Sequence, residues 1–253
     1  MAGAILIVID VLAFILLVWL GWRVYETVAP LFLFPRGEFE KARALYEKTE
    51  RRAILSSTRS TARYGVAICD LQMGRVDESL KRLRALPYDT MNTPMRFGID
   101  LAIGSALLQL ERSHEEMRQR FMRAAAVQKQ PDIVLGVAHA ELYLDNVERA
   151  EELYAEALEI PPEGKTMFSL DTLVRRSGTM VEYSATFLQG WYLARTGRTD
   201  EAGPLLQQVA AWPVRSWITQ KAESLLVAMC VPTGTGEVDP ASTAPMIVDA
   251  RDD

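Results

Sequence analysis

Apolar residues along this chain follow two different rhythms. From Ala2 to Trp22 they are nearly continuous, with one charge, Asp10. A helix of that length spans about 31 Å, close to a hydrocarbon core of about 30 Å. The pattern predicts a transmembrane helix over 1–25. Trp19, Trp22 and Tyr25 gather at its C-terminal end as an interfacial aromatic belt, and Arg23 can snorkel there. A cleaved signal peptide fits less well. No Lys or Arg precedes the apolar stretch, and Thr27-Val28-Ala29 runs straight into Pro30. Arg23, Arg36, Lys41 and Arg43 follow the span and no basic side chain precedes it, which places the rest of the chain in the cytoplasm by the positive-inside rule. Asp10 reads in two ways. It contacts a polar group on another membrane helix, or it sits near the outer face as a protonated or water-reached carboxyl.

Beyond an apolar, proline-bounded connector at 26–36, the rhythm changes to threes and fours, the period of amphipathic helices. Strand signals are absent. Five segments share one pattern: a turn, an acidic pair, a small residue, then a bulky residue four further on. They read GEFEKARALYEKT from Gly37, GRVDESLKRLRAL from Gly74, RSHEEMRQRFMRA from Arg112, DNVERAEELYAEA from Asp145 and GRTDEAGPLLQQV from Gly197. Their key positions are Ala42, Ser79, Met117, Ala150 and Ala202, followed by Tyr46, Leu83, Phe121, Tyr154 and Leu206.

These segments resemble tetratricopeptide (TPR) repeats, whose unit is a helix–turn–helix of about 34 residues. The chain departs from that pattern at Met117, at Arg112 and Asp145 in the place of the turn glycine, and at an insertion over 163–180. The resemblance implies an all-α fold: a TPR-like helical-repeat solenoid over 37–231, preceded by one transmembrane helix. Stacked units bury what one helix pair cannot, and arrays need a terminal cap. The amphipathic segment 214–230 reads as that capping helix. The composition of 232–253 reads as a disordered tail.

Composition narrows the function classes. Hydrophobic residues make up 49% and charged residues 24%, as in ordinary globular proteins. The net charge of −5 lacks the basic footprint that nucleic acid requires. Charge is uneven: residues 36–86 carry 12 Lys and Arg against 7 Asp and Glu, a basic face suited to anionic lipid. The two cysteines, Cys69 and Cys230, and two histidines, His114 and His139, have no zinc-ligand spacing. Gly164-Lys165-Thr166 lacks the upstream glycine and strand of a phosphate loop. No base–nucleophile spacing stands out, so neither catalysis nor a cofactor or metal is expected.

What remains is surface. In TPR arrays the first helix of each unit lines a groove that takes a peptide or helix. Carried over by alignment, the groove positions include Tyr64, Ile68 and Gln72, then His139 and Tyr143, then Phe187, Trp191 and Arg195. They are apolar and aromatic, which points to a partner protein docking an apolar helix or extended segment. The same aromatics also suit packing between repeats. The sequence thus reads as a membrane-anchored, non-catalytic scaffold or adaptor at the cytoplasmic face of a bacterial membrane. The alternatives are a constitutive subunit of a larger membrane complex and an assembly factor facing the periplasm.

Overall fold

A computed structural model describes residues 29–30, 32–160 and 177–230. The span 1–25, Asp10, the Gly164-Lys165-Thr166 tripeptide, most of the insertion and the tail 232–253 lie outside the described residues. Among those described, no helix is long and apolar enough to cross a membrane.

The described residues are all helical, with no strand among them. A 3-10 turn at Phe34–Arg36 leads into α1 (Phe39–Arg52), α2 (Ser56–Gln72) and α3 (Val76–Arg84). After a second 3-10 turn at Tyr88–Thr90 come α4 (Thr93–Gln109), α5 (His114–Val127), α6 (Pro131–Tyr143) and α7 (Val147–Glu159). The last three are α8 (Ser177–Arg195), α9 (Thr199–Ala210) and α10 (Trp217–Cys230). α8 begins inside the stretch read as an insertion, so residues 177–180 belong to a helix.

Local chemistry marks the ends. Asn92 caps α4 by accepting from the Met95 N–H at 3.0 Å, and Pro131 opens α6, where its missing N–H costs nothing. Gly74 and Gly197 take φ of 79° and 80° in their turns, and Asp145 takes 60° in the equivalent place. The second turn differs from the sequence expectation. Arg112 does not carry the left-handed conformation. Its two neighbours do, Glu111 at φ 49° and Ser113 at φ 51°.

Helices pack in chain order from α1 through α7 and again from α8 through α10, and α8 rests on α6 rather than on α7. Even-numbered helices also touch the next even-numbered one, and odd-numbered helices make no comparable pair among the described residues. The five aligned key positions Ala42, Ser79, Met117, Ala150 and Ala202 are all fully buried at 0% exposure. Ser79 stays satisfied there because its hydroxyl donates to the Ala67 carbonyl at 2.7 Å. Bulky residues seat on glycines of the next helix. A Cβ on Gly65 would stand 2.7 Å from the Tyr46 ring, and one on Gly136 would stand 2.7 Å from the Phe121 ring.

Two buried carboxylates tie helices together. Asp70 of α2 accepts from Arg43 Nε at 2.7 Å and lies 3.3 Å from Arg82 Nε. Asp100 of α4 lies 2.8 Å from Arg120 Nη1 and accepts from the Tyr88 hydroxyl at 2.5 Å. Each interrupts an apolar helical run, and each is neutralised by arginines of neighbouring helices. Buried charges persist only when paired in this way.

The two ends of the described helices meet. Val214, in the link between α9 and α10, reaches back to Gly37 just ahead of α1. A Cβ on Gly37 would fall 2.8 Å from Val214 Cγ1, and Gly37 has φ +73°. Gly37→Ala therefore meets both backbone strain and a clash. It is expected to lower stability by about 1–3 kcal/mol in a urea titration followed by circular dichroism. Adding Val214→Ala should recover the steric part and leave the strain. Equal stability of Gly37→Ala and wild type would remove this closure.

Candidate partner-binding face

The aligned groove residues fall on even-numbered helices, each of which touches the next even-numbered one. α2 supplies Tyr64, Ile68 and Gln72, α6 supplies His139 and Tyr143, and α8 supplies Phe187, Trp191 and Arg195. Exposure splits them. His139, Phe187 and Trp191 are buried, and Tyr64, Ile68, Gln72 and Tyr143 are half-buried. Arg195 is exposed.

The buried three form one aromatic knot. The Trp191 ring lies 5.0 Å from His139 and 5.5 Å from Phe187, and Trp217 of α10 packs edge-on to Phe187 at 5.3 Å. His139 Nε2 lies 2.9 Å from the Leu188 carbonyl. A carbonyl only accepts, so Nε2 carries the proton and donates. Burial then pushes the imidazole down to about pKa 4, since charging it would require solvation that the site lacks. Its Nδ1 finds no partner among the described residues. His139 thus ties α6 to α8 as a neutral ring.

Tyr143 and Arg195 form a second group at the helix ends, with His114. Tyr143 stacks on His114 with ring centroids 4.4 Å apart, and the Arg195 guanidinium sits 3.7 Å from the Tyr143 ring centroid. Burial holds the Tyr143 phenol above its ordinary range. Next to it stands Glu111, with a left-handed backbone and its carboxylate facing α10. Lys221 Nζ lies 2.9 Å from Glu111 Oε1 and 5.1 Å from the Trp191 ring. Burial pushes the Glu111 carboxyl up, but Lys221 first, then Tyr143 and Arg195, outweigh it and the net value is lowered. Tyr64 lies apart from this group, with its hydroxyl over Gly98 of α4.

The Glu111–Lys221 pair joins residues 110 apart in sequence. It shows where α10 lies. Beyond covering α8 and α9, α10 leans across the even-helix face toward the ends of α2 and α4. A cleft of about 210 Å³ remains there, with Gly74 and Gln109 on one side and Trp191, Trp217, Gln220 and Lys221 on the other. The Gln109 side-chain carbonyl is buried without a partner among the described residues. α10 is therefore more than a terminal cap. Its amphipathic pattern was legible, but nothing local in sequence pairs Lys221 with Glu111.

No protein-family model, curated protein or solved structure matches this chain.

The chemistry of the face has to be read from its own residues. Among the described residues no group of three His, Cys, Asp or Glu could hold a metal ion. Cys69 is buried in α2, and burial, with the Asp70 charge beside it, pushes its thiol up to about pKa 12, which disfavours the nucleophilic thiolate. The face offers shape, aromatic rings and paired charges, which suit docking.

Proposed function

We propose that this chain is a non-catalytic, membrane-anchored scaffold built as a TPR-like helical solenoid. It binds a partner protein, through an apolar helix or extended segment, at the cytoplasmic face of a bacterial membrane. The observation that carries the solenoid reading is the burial of all five aligned key positions, together with the layer of successive even-numbered helices. The apolar run from Ala2 to Trp22 supports the anchor. The accessible part of the docking face is Ile68, Gln72, Tyr143 and Arg195, while His139, Phe187 and Trp191 hold the helices that present it.

The position of α10 favours a second reading, a constitutive subunit of a membrane complex whose outer faces make the contacts. Affinity purification from detergent-solubilised native membranes separates the two. Wild type would run beside Ile68→Ser/Arg195→Glu and beside Lys221→Glu, which sets two carboxylates against each other and loosens α10. The scaffold reading expects a partner with wild type, its loss from the double variant, and more of it with Lys221→Glu. The same partners on all three would move contact to the outer faces. A C-terminal reporter active only outside the cytoplasm would transfer the proposal to a periplasmic assembly factor.

A further inference from the structure

The link between α1 and α2 is unusual for a soluble surface. Ile54 is 91% exposed and Leu55 66% exposed, side by side at the tip. Scattered single apolar residues are ordinary on surfaces, but two adjacent branched aliphatics this exposed are not. Their surroundings are one-signed. From Arg51 to Arg63 the chain has four arginines and no acidic residue. One nearby carboxylate, Glu50, is already held by Arg63 at 2.7 Å. The tip is also shaped. Arg59 Nη2 donates to the Ala53 carbonyl at 2.8 Å, which pins the link just before Ile54.

The opposite end of α1 carries a matching feature. Phe32, in the connector that follows the apolar segment, is 42% exposed. α1 lies between the two apolar points, 14 residues and about 21 Å long at 1.5 Å per residue. A helix with an apolar contact at each end, beside a run of arginines, fits a flat anionic surface.

We propose that α1 lies along the membrane, with the Ile54–Leu55 tip inserted among the acyl chains of an anionic bilayer and Arg51, Arg52 and Arg59 at the headgroup phosphates. This rests on the reading of 1–25 as a membrane anchor. The anchor and the tip then make two contacts on one surface. They fix how the helical domain leans, and so which face stays open to a partner. Two apolar residues and a few arginines bind a bilayer weakly alone, but tethering the chain supplies the local concentration that makes such contacts persist.

The test uses the full chain carrying Cys230→Ser and Ser57→Cys, reconstituted into vesicles of phosphatidylcholine and phosphatidylglycerol. Ser57 is exposed beside the tip, and Cys69 is buried. An environment-sensitive fluorophore on position 57 is read with and without a lipid bearing a shallow nitroxide, and a Glu223→Cys label on α10 serves as the water reference. Flotation with the vesicles reports the anchor separately. The expected result is flotation, blue-shifted emission at 57 quenched by the nitroxide lipid, and no quenching at 223. Ile54→Asp/Leu55→Asp should abolish the quenching and leave flotation unchanged. Flotation with an unquenched label at 57 overturns the tip while leaving the anchor standing. A chain that does not float overturns both. A blue-shifted label at 57 that the nitroxide lipid does not quench would assign the tip to a protein contact and also overturn the proposal.

Discussion

Trp191→Ala is expected to lower the unfolding free energy by about 3–5 kcal/mol, the usual cost of removing a large buried ring from a core that relaxes only in part. Trp191 is 2% exposed and is touched from three helices: His139 on α6, Phe187 on its own helix, and Lys221 on α10. Its loss opens a void at the point where α6, α8 and α10 meet. A urea titration of the full chain in mild detergent, followed by circular dichroism, reads the change as a lower midpoint. A loss under about 1 kcal/mol would mean that the ring is not part of the core. The consequence for binding studies is direct. A partner lost from Trp191→Ala reports a loosened scaffold, whereas a partner lost from Ile68→Ser or Arg195→Glu reports the surface.

The second large effect is a pH dependence carried by His139. The imidazole is held near pKa 4 in the folded chain against an ordinary 6.5. Below 6.5 the unfolded chain takes up a proton that the folded chain refuses, so stability falls as pH drops from 6.5 toward 4. The sum of that loss is about 3 kcal/mol. Asp132 acts in the opposite sense. Burial raises its carboxyl from 3.8 to about 6, so its contribution is present at low pH and is lost as pH rises through 6. The two overlap, and the wild-type curve alone mixes them. Stability of wild type minus that of His139→Gln isolates the histidine. That difference should decline from pH 6.5 to pH 4 and stay flat above pH 7. A difference independent of pH would mean that the buried ring is already charged or reached by water.

Much of the helical order is legible in the residues. The repeated pattern singles out Ala42, Ser79, Met117, Ala150 and Ala202, and each of those positions is fully buried. The turn glycines Gly74 and Gly197 adopt the left-handed backbone that their place in the pattern requires. The second turn was harder to read. With Arg112 in the glycine place, the chain moves the left-handed residues to Glu111 and Ser113. Glu111 is also the residue that pairs with Lys221. Asp70 and Asp100 could have been flagged, since each is a lone charge inside an apolar run. Their arginine partners could not, because those lie on helices whose rotation depends on the packing.

The aromatic residues divide along the same line. Helical periodicity places Tyr64, His139, Tyr143, Phe187 and Trp191 on one kind of helix face, but a face can be turned to solvent or to a neighbour at the same period. Packing decided that His139, Phe187 and Trp191 go inward and that Tyr143 lies under Arg195 at the edge.

The residues by themselves determined the all-helical class, the order of the helices and the five key positions that become buried, because helix period and turn chemistry are local. Only the tertiary structure decided that α10, read as the terminal cap of the array, also leans across the even-helix face, that Val214 closes on Gly37, and that Ile54 and Leu55 stand uncovered. Each of those depends on contacts between residues far apart in the chain, and their energies exist only once the intervening helices have stacked.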